Sequence, residues 1–587
     1  MKSRRLSTDK WKVIRKALLS LAFMIPFGAL SFASSLPVHG IGASAAQGKI
    51  ARDIDRHDPN ARIDVIVQFK VTPTTQHYRT MSDRGALLKT KLHSIKAAAF
   101  TIPVSALAKL ENDPEIVYVS PDRAVSLKNN YESFASAVEA NVAQQQYGFD
   151  GTGVGIAVID SGVADHKDFH TATGTRVVHS ENFVVGETST VDAYGHGTHV
   201  SGILGGNGSA SGTGTGYAAQ IVGMAPNVSI INLRVLDENG AGTDSQVIAA
   251  IQRAIQLQTK YNIGVINLSL GRPVFENYTL DPLCQAVEQA WNAGIVVVVA
   301  AGNDGRDNSL GTRGFATIDA PGNDPAVITV GATRTMNTPT RNDDAIASYS
   351  SKGPTLLDHI VKPDIVAPGN RIGSLIVKNS TLDVEYPSLE IAPTGTCATS
   401  CATQYFRLSG TSMATPVVSG AVALMLQQNP ALTPDEVKAR LMKTAWKGFG
   451  VYTTSYDVFN NPYNNQYDIF TYGAGYLDID AALADADVAE GAALSPTAVY
   501  NAANNTVTIV NTNSPTGTSI VWGSSIVWGT SIIWGSSVLN AESIVWGSSV
   551  VWGNSVDTGF SVVWGSSIIW GASTSDAAFS DSQDGEN

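Results

Sequence analysis

The chain has 587 residues, of which 43% are hydrophobic and 15% charged, and its formal net charge is −12. That length exceeds a single ordinary core, so several domains or processed segments are expected. The composition excludes bulk disorder, and the acidic balance leaves no basic footprint for nucleic acid.

A Lys/Arg-rich start (Lys2, Arg4, Arg5, Lys10) leads into an apolar run from Ala17 to Phe32, then small residues with cleavage positions after Ala33 or Ala45. That order matches a secretory signal peptide over 1–45. The run is short of the ~20 residues a spanning helix needs, and Pro26 and Gly28 break it. Export to a secreted, extracellular or cell-surface location follows.

Over 46–127, "IDVIVQFK" alternates like a strand, "GALLKTKLHSI" is predicted as a helix, and "EIVYVSPD" as a second strand. The expectation is a small α+β unit. From 151 the texture becomes βα. The runs "GIAVI", "VSIINLRVL", "GVINLSL" and "GIVVVVAAG" suit parallel strands covered on both faces. "TDSQVIAAIQRAIQLQTKY" places Val247, Ile248, Ile251, Ala254 and Ile255 on one helical face, with Thr243 or Asp244 as cap. "LTPDEVKARLMKTA" opens with a capping box from Thr433 to Glu436 and has Pro434 at the first helical position. Residues 128–490 are therefore expected to form an α/β domain, a mostly parallel sheet sandwiched by helices, with its site beyond the carboxyl ends of the strands.

Three segments place reactive groups there. "GIAVIDSGV" ends a buried strand at Asp160, "YGHGTHVSGILGG" starts a helix at His196, and "LSGTSMATPVVSGAVALML" places Ser412 at the N-terminus of an apolar helix. Taken singly, each is more often structural: an Asp at a strand end commonly caps a turn. Together they form a device. A hydroxyl is a weak nucleophile until an imidazole takes its proton, and the imidazole needs a carboxylate to fix its tautomer. A fourth segment, "VVVVAAGNDG", supplies Asn303 after a strand, where a side-chain amide can receive the negative charge that acyl transfer develops.

"VIDSGV", "GHGTHVSGI" and "GTSMATPVVSG" resemble the three active-site motifs of the subtilases, the subtilisin-like serine proteases, over roughly Gly151 to Leu483. The resemblance implies a serine endopeptidase with Asp160 as orienting acid, His196 as general base and acid, Ser412 as nucleophile and Asn303 in the oxyanion hole. His199, three residues after His196, is expected to be a packed helix histidine. "NLSLG" and "AAG" resemble the substrate-binding segments, which implies contacts from Ser269, Leu270, Gly271, Ala301 and Gly302. Neither segment holds an acidic residue, so an apolar or broad preference is expected before the cut. The unit at 46–127 resembles the family's inhibitor propeptide, which implies a self-processed zymogen cut within "VSLKNNYESFAS", where Leu127 suits an apolar pocket. Peptide or protein substrates and a monomer are expected. The chemistry requires no cofactor; structural calcium stays open, because no contiguous ligand loop is present.

Cys397 and Cys401 in "CATSC" lie in a polar insertion, Ile372 to Phe406, and could close a small disulfide loop; Cys284 is expected to be a small buried hydrophobe. A linker follows over 491–518, then a hexapeptide array over 519–571 with tryptophans at 522, 528, 534, 546, 552, 564 and 570, then an acidic tail over 572–587. The array is β-prone. It is read either as a module associating with a cell surface or glycan or as a tail without a specific ligand. The rival to a secreted protease is a surface adhesin whose protease domain serves mainly its own maturation.

Overall fold

The computed structural model describes residues 49–122 and 131–510 with short breaks, among them 55–61, 396–401 and 457–460, together with 527–528, 532–533, 538–540 and Glu586. The signal region, Cys397 and Cys401, the cut region around Leu127 and most of the hexapeptide array lie outside the described residues. The chain divides into two compact units, Met1–Leu127 and Lys128–Asn587.

In the first unit, β1 (Arg62–Phe69), α1 (Thr75–Asp83), β2 (Leu87–Leu92), β3 (Ala97–Pro103), α2 (Leu107–Glu111) and β4 (Ile116–Pro121) build an antiparallel sheet in the order β2-β3-β1-β4. The helix predicted over "GALLKTKLHSI" is instead the edge strand β2, and the helix lies upstream. Leu88, Leu92 and Ile95 stand at the i, i+4, i+7 spacing of a helical stripe, but main-chain pairing with β3 decides the conformation. Helix α1 opens where the backbone N–H of Thr74 donates to His77 Nδ1 at 3.1 Å. Val65, Val67, Phe100, Leu110 and Val119 form this unit's core.

In the second unit a sheet of eight strands collects β5 (Gly155–Asp160), β6 (Val177–Asn182), β7 (Ser229–Arg234), β8 (Ile263–Leu268), β9 (Val296–Ala300), β10 (Ile328–Arg334), β11 (Ala345–Ile346) and β12 (Ile365–Pro368). The order is β11-β10-β9-β8-β5-β7-β6, with β12 also on β10; only β11 runs antiparallel. Strands β5 and β9 are buried at every position, as their unbroken apolar runs require. Helices α3 (His196–Gly205), α4 (Asp244–Tyr261) and α5 (Pro282–Asn292) connect strands, and α6 (Thr411–Gln428) and α7 (Pro434–Thr444) follow later in the chain. The capping boxes at Thr243 and Thr433 are both formed.

The insertion is less polar in structure than in sequence. Its ends pair as the antiparallel strands Ile372–Leu375 and Tyr405–Leu408, with Ile372, Leu375, Tyr405, Phe406 and Leu408 all buried. Their carbonyls serve the site helix, as described below.

Glu586, from the acidic tail, is also buried in this unit. Its carboxylate accepts from the Ser348 N–H at 2.7 Å and from the Ser348 hydroxyl, and it pairs with Arg306 at 3.0 Å and Arg334 at 3.6 Å. The Glu586 N–H donates to Asn370 Oδ1 at 2.8 Å. Removing one member of a buried ion pair leaves the other desolvated. Glu586→Gln in a Ser412→Ala background is therefore expected to lose about 3 kcal/mol in urea unfolding. Unchanged stability would mean that the tail contact contributes nothing.

Candidate active site

Parallel strands bring the site together at their carboxyl ends. β5 ends on Asp160, which is buried, while the adjacent helix α3 begins with His196 at its first position. His196 Nδ1 lies 2.8 Å from Asp160 Oδ1, so the imidazole donates its Nδ1 proton there and leaves Nε2 as the free acceptor. Burial alone would push the imidazole pKa down. The charge and hydrogen bond of Asp160, with Asp192 behind them, outweigh it and hold His196 above the ordinary value.

The close approach of helix and strand needs Gly197, since a Cβ there would lie 2.3 Å from the Gly162 carbonyl oxygen. A second layer fixes the carboxylate. The Ser161 N–H donates to Asp160 Oδ1 at 2.7 Å, and the Ser161 hydroxyl bridges Asp160 and Asp192 at 3.2 and 2.9 Å. Asp192 in turn accepts from the N–H groups of Gly195 and Thr198, at 2.7 and 2.8 Å, and so anchors the start of α3. Sequence reasoning missed Asp192. The available signal was an acidic residue just ahead of a helix start, where it meets unpaired N–H groups.

His199 is the packed histidine of the pair. Its Nε2 lies 3.2 Å from the Ile372 carbonyl and 3.1 Å from that of Phe406, and burial together with the neighbouring His196 lowers its pKa to about 3. It is neutral at any working pH and ties α3 to the insertion.

Ser412 is the second residue of α6, on a helix whose other residues are buried as far as Leu426. Its hydroxyl donates to the Ser269 carbonyl at 3.1 Å, and the Ser269 hydroxyl donates to the Ser412 carbonyl at 2.8 Å. The second bond has a local cause. Pro416 has no N–H to offer the carbonyl four residues earlier, and Ser269 takes its place. Asn267 extends the link, donating to the Ser269 hydroxyl at 3.0 Å and accepting from Ser419 at 2.8 Å. The end of β8 is thus pinned to the helix that carries Ser412.

Asn303 follows β9. Its amide oxygen accepts from the Thr411 N–H at 2.9 Å and lies 3.1 Å from the Thr411 hydroxyl, which orients the amide and leaves Nδ2 to donate elsewhere. Thr411 therefore acts through Asn303, a role that the sequence reading did not assign. Leu270 is partly buried, and Ala301 is held in the sheet by its N–H to Val330 at 3.0 Å. Gly271 and Gly302 flank Asp319, an acid from a distant segment. Cys284 is buried and donates to Asn323 Oδ1 at 3.3 Å; burial pushes its thiol pKa up, away from nucleophilic use. Among the described residues, no group of three or more His, Cys, Asp or Glu is placed to hold a metal ion.

A family model described as the subtilase family matches residues 151–476. The chain is 37% identical over 369 residues to serine protease AprX of Bacillus subtilis (strain 168), covering 61% of this chain and 76% of that one. It is 32% identical over 392 residues to subtilisin E of the same organism, covering 65% and 84%. It is 34% identical over 376 residues to an extracellular serine proteinase of Thermus sp. (strain Rt41A), covering 62% and 75%. A solved structure of a cold adapted subtilisin-like serine proteinase is 31% identical, with a TM-score of 0.36, covering 51% of this chain and 84% of that one. The chain belongs to the subtilase family of subtilisin-like serine proteases.

Proposed function

We propose that the chain is a secreted serine endopeptidase, made as a self-processed zymogen, which cuts peptide bonds through an acyl-enzyme on Ser412. The contact that carries the reading is the 2.8 Å bond from His196 Nδ1 to a buried Asp160. It fixes the one tautomer whose Nε2 can take a serine proton. On substrate binding the Ser412 hydroxyl turns from the Ser269 carbonyl to His196. Its oxygen attacks the peptide carbonyl carbon while its proton passes to Nε2. The oxygen that becomes negative is met by Asn303 Nδ2 and the Ser412 N–H, at the positive end of α6. His196 then gives its proton to the leaving amine, and water, deprotonated by His196, releases the acyl group. Asp160 holds the imidazole's orientation and stabilises the imidazolium.

The basic and apolar start of the chain supports export, and the antiparallel four-stranded unit ahead of residue 127 supports a propeptide role. Reaction with a phosphonofluoridate tests the site. One adduct per chain is expected, on the peptide containing Ser412. Inhibition with the adduct elsewhere would overturn the assignment.

Two smaller effects follow. Asn303→Ala removes one oxyanion donor and is expected to lower kcat about 10²- to 10³-fold with KM little changed, read from steady-state hydrolysis of a peptide anilide. A free imidazole must be neutral to act as base. Because His196 is held above the ordinary value, kcat/KM is expected to fall on the acid side from a pH above the usual imidazole range.

A further inference from the structure

Four side chains meet beside the turn that carries Asn303. Arg306 lies three residues past Asn303, Arg334 ends β10, Ser348 follows β11 and Asn370 follows β12. Strands β9, β10 and β12 are parallel neighbours, so their carboxyl ends bring Arg306, Arg334 and Asn370 to one place. Ser348 joins them, its hydroxyl accepting from Arg306 Nε at 2.8 Å. What these groups enclose is Glu586, a residue beyond the last tryptophan of the array, at 1% exposure.

The seat grips a glutamate at two places. The carboxylate takes both donors of Ser348 and pairs with the guanidiniums of Arg306 and Arg334. The main chain is held separately: the Glu586 N–H donates to Asn370 Oδ1 at 2.8 Å, and its carbonyl accepts from Asn370 Nδ2 at 3.3 Å. Asn370 is itself anchored, donating to Glu132 Oε1 at 2.7 Å. A side-chain amide that gives and takes a bond with one residue matches a peptide unit, while the arginines and the hydroxyl match an acidic side chain. On the other side of the array the Ala498 N–H donates to the His359 carbonyl at 2.8 Å. The stretch that carries the tryptophans is therefore fixed to the catalytic unit at both ends.

The same residues adjoin both oxyanion donors. After Asn303 the Asp304 N–H donates to Ser351 Oγ at 3.0 Å and the Gly305 N–H to the Tyr349 carbonyl at 2.8 Å, and Arg306 then closes the turn on Glu586 at 3.0 Å. On the Ser412 side the Gly410 N–H donates to the Gly369 carbonyl at 2.9 Å, and Asn370 is the next residue. We propose that Glu586 is a positioning residue: docked in this seat, it fixes the turn that carries Asn303, so that turnover depends on a segment beyond the tryptophan array. The inference rests on the reading that Asn303 receives the oxyanion's charge. Two guanidiniums that share one buried carboxylate repel each other when it is neutralised, and Arg306 shifts with the turn behind it. A misplacement of about 1 Å at a catalytic group is enough to slow turnover.

The test uses the active enzyme expressed from the full chain, its mass read to show that Glu586 is retained, and a peptide anilide as substrate. Glu586→Gln keeps the shape and the main-chain bonds but drops the charge, and is expected to lower kcat about 10-fold with KM within about twofold. Ser348→Ala is milder, since the Ser348 N–H stays; it is expected to lower kcat about threefold in the same way, and it decides the matter should Glu586→Gln fail to fold. In an Asn303→Ala background neither substitution is expected to lower kcat further, because the donor they position is gone. An unchanged kcat, an effect confined to KM, an equal loss in the Asn303→Ala background, or an active enzyme that has shed Glu586 would overturn the proposal. Asn303→Ala alone, expected to cost about 10²- to 10³-fold, reports on the oxyanion reading and separates its failure from that of the seat.

Discussion

Ser412→Ala is expected to lower kcat on a peptide anilide by about 10⁶-fold, with the folded domain intact. The size of the effect follows from the arrangement of the site. His196 has its Nδ1 committed to Asp160, so in the proposed mechanism its Nε2 takes the Ser412 proton and passes it to the leaving amine. Without the hydroxyl that function has no object. What remains is Asn303 and the α6 N-terminus acting on water attack, a residual of about 10³- to 10⁴-fold over the uncatalysed rate. The variant should also keep its full length during expression if the zymogen cuts itself. The loop structure should survive, because the Ser412 main chain, not its side chain, accepts the Ser269 hydroxyl. Steady-state kinetics and the mass of the purified chain check both points. Hydrolysis within tenfold of wild type would remove Ser412 from the chemistry.

Asp160→Asn is expected to cost about 10⁴-fold in kcat. An amide can still accept from the Ser161 N–H, so the strand end keeps its local bonds. The amide cannot stabilise the imidazolium, and its own NH₂ competes to face Nδ1 and turns the imidazole to the wrong tautomer. The sign of the pH effect is fixed as well. Burial lowers the His196 pKa and Asp160 is the main group raising it, so removing that charge lets burial win. The acid limb of kcat/KM should therefore move to lower pH in the variant, even as the plateau collapses. A plateau loss with an unmoved limb would show that Asp160 acts on something other than the imidazole charge.

Much of this architecture was legible in the chain. Strands β5 and β9 are unbroken Val/Ile/Ala runs because both faces of a parallel sheet are covered, and that pattern has few other readings. Helices α4 and α7 announced themselves through capping boxes that the structure forms. The first unit was harder to read. Its helix α1 buries only Met81, so it shows little apolar stripe, while the edge strand β2 carries Leu88 and Leu92 at the four-residue spacing of one. Strand β3 begins with three alanines, a weak strand signal, and its conformation comes from pairing on both sides.

Asp160, His196, Asn303 and Ser412 stood out as candidates because each lies in a short contiguous motif. Asp192 and Thr411 were not assigned roles, because their contacts exist only in three dimensions. Asp192 meets the helix start through backbone N–H groups, and Thr411 orients an amide 108 positions away. The insertion shows the same limit: its buried strands became visible only once the carbonyls of Ile372 and Phe406 were seen to hold His199.

The central claim is a covalent acyl group on Ser412. Rapid acid quench of the mature enzyme during turnover of an activated ester, followed by peptide mass analysis, reads it directly. The acyl mass is predicted on the peptide that begins the α6 helix, at up to one per chain, and absent from Ser412→Ala. Steady turnover with no acylated peptide, or with the acyl group on another residue, would contradict the account.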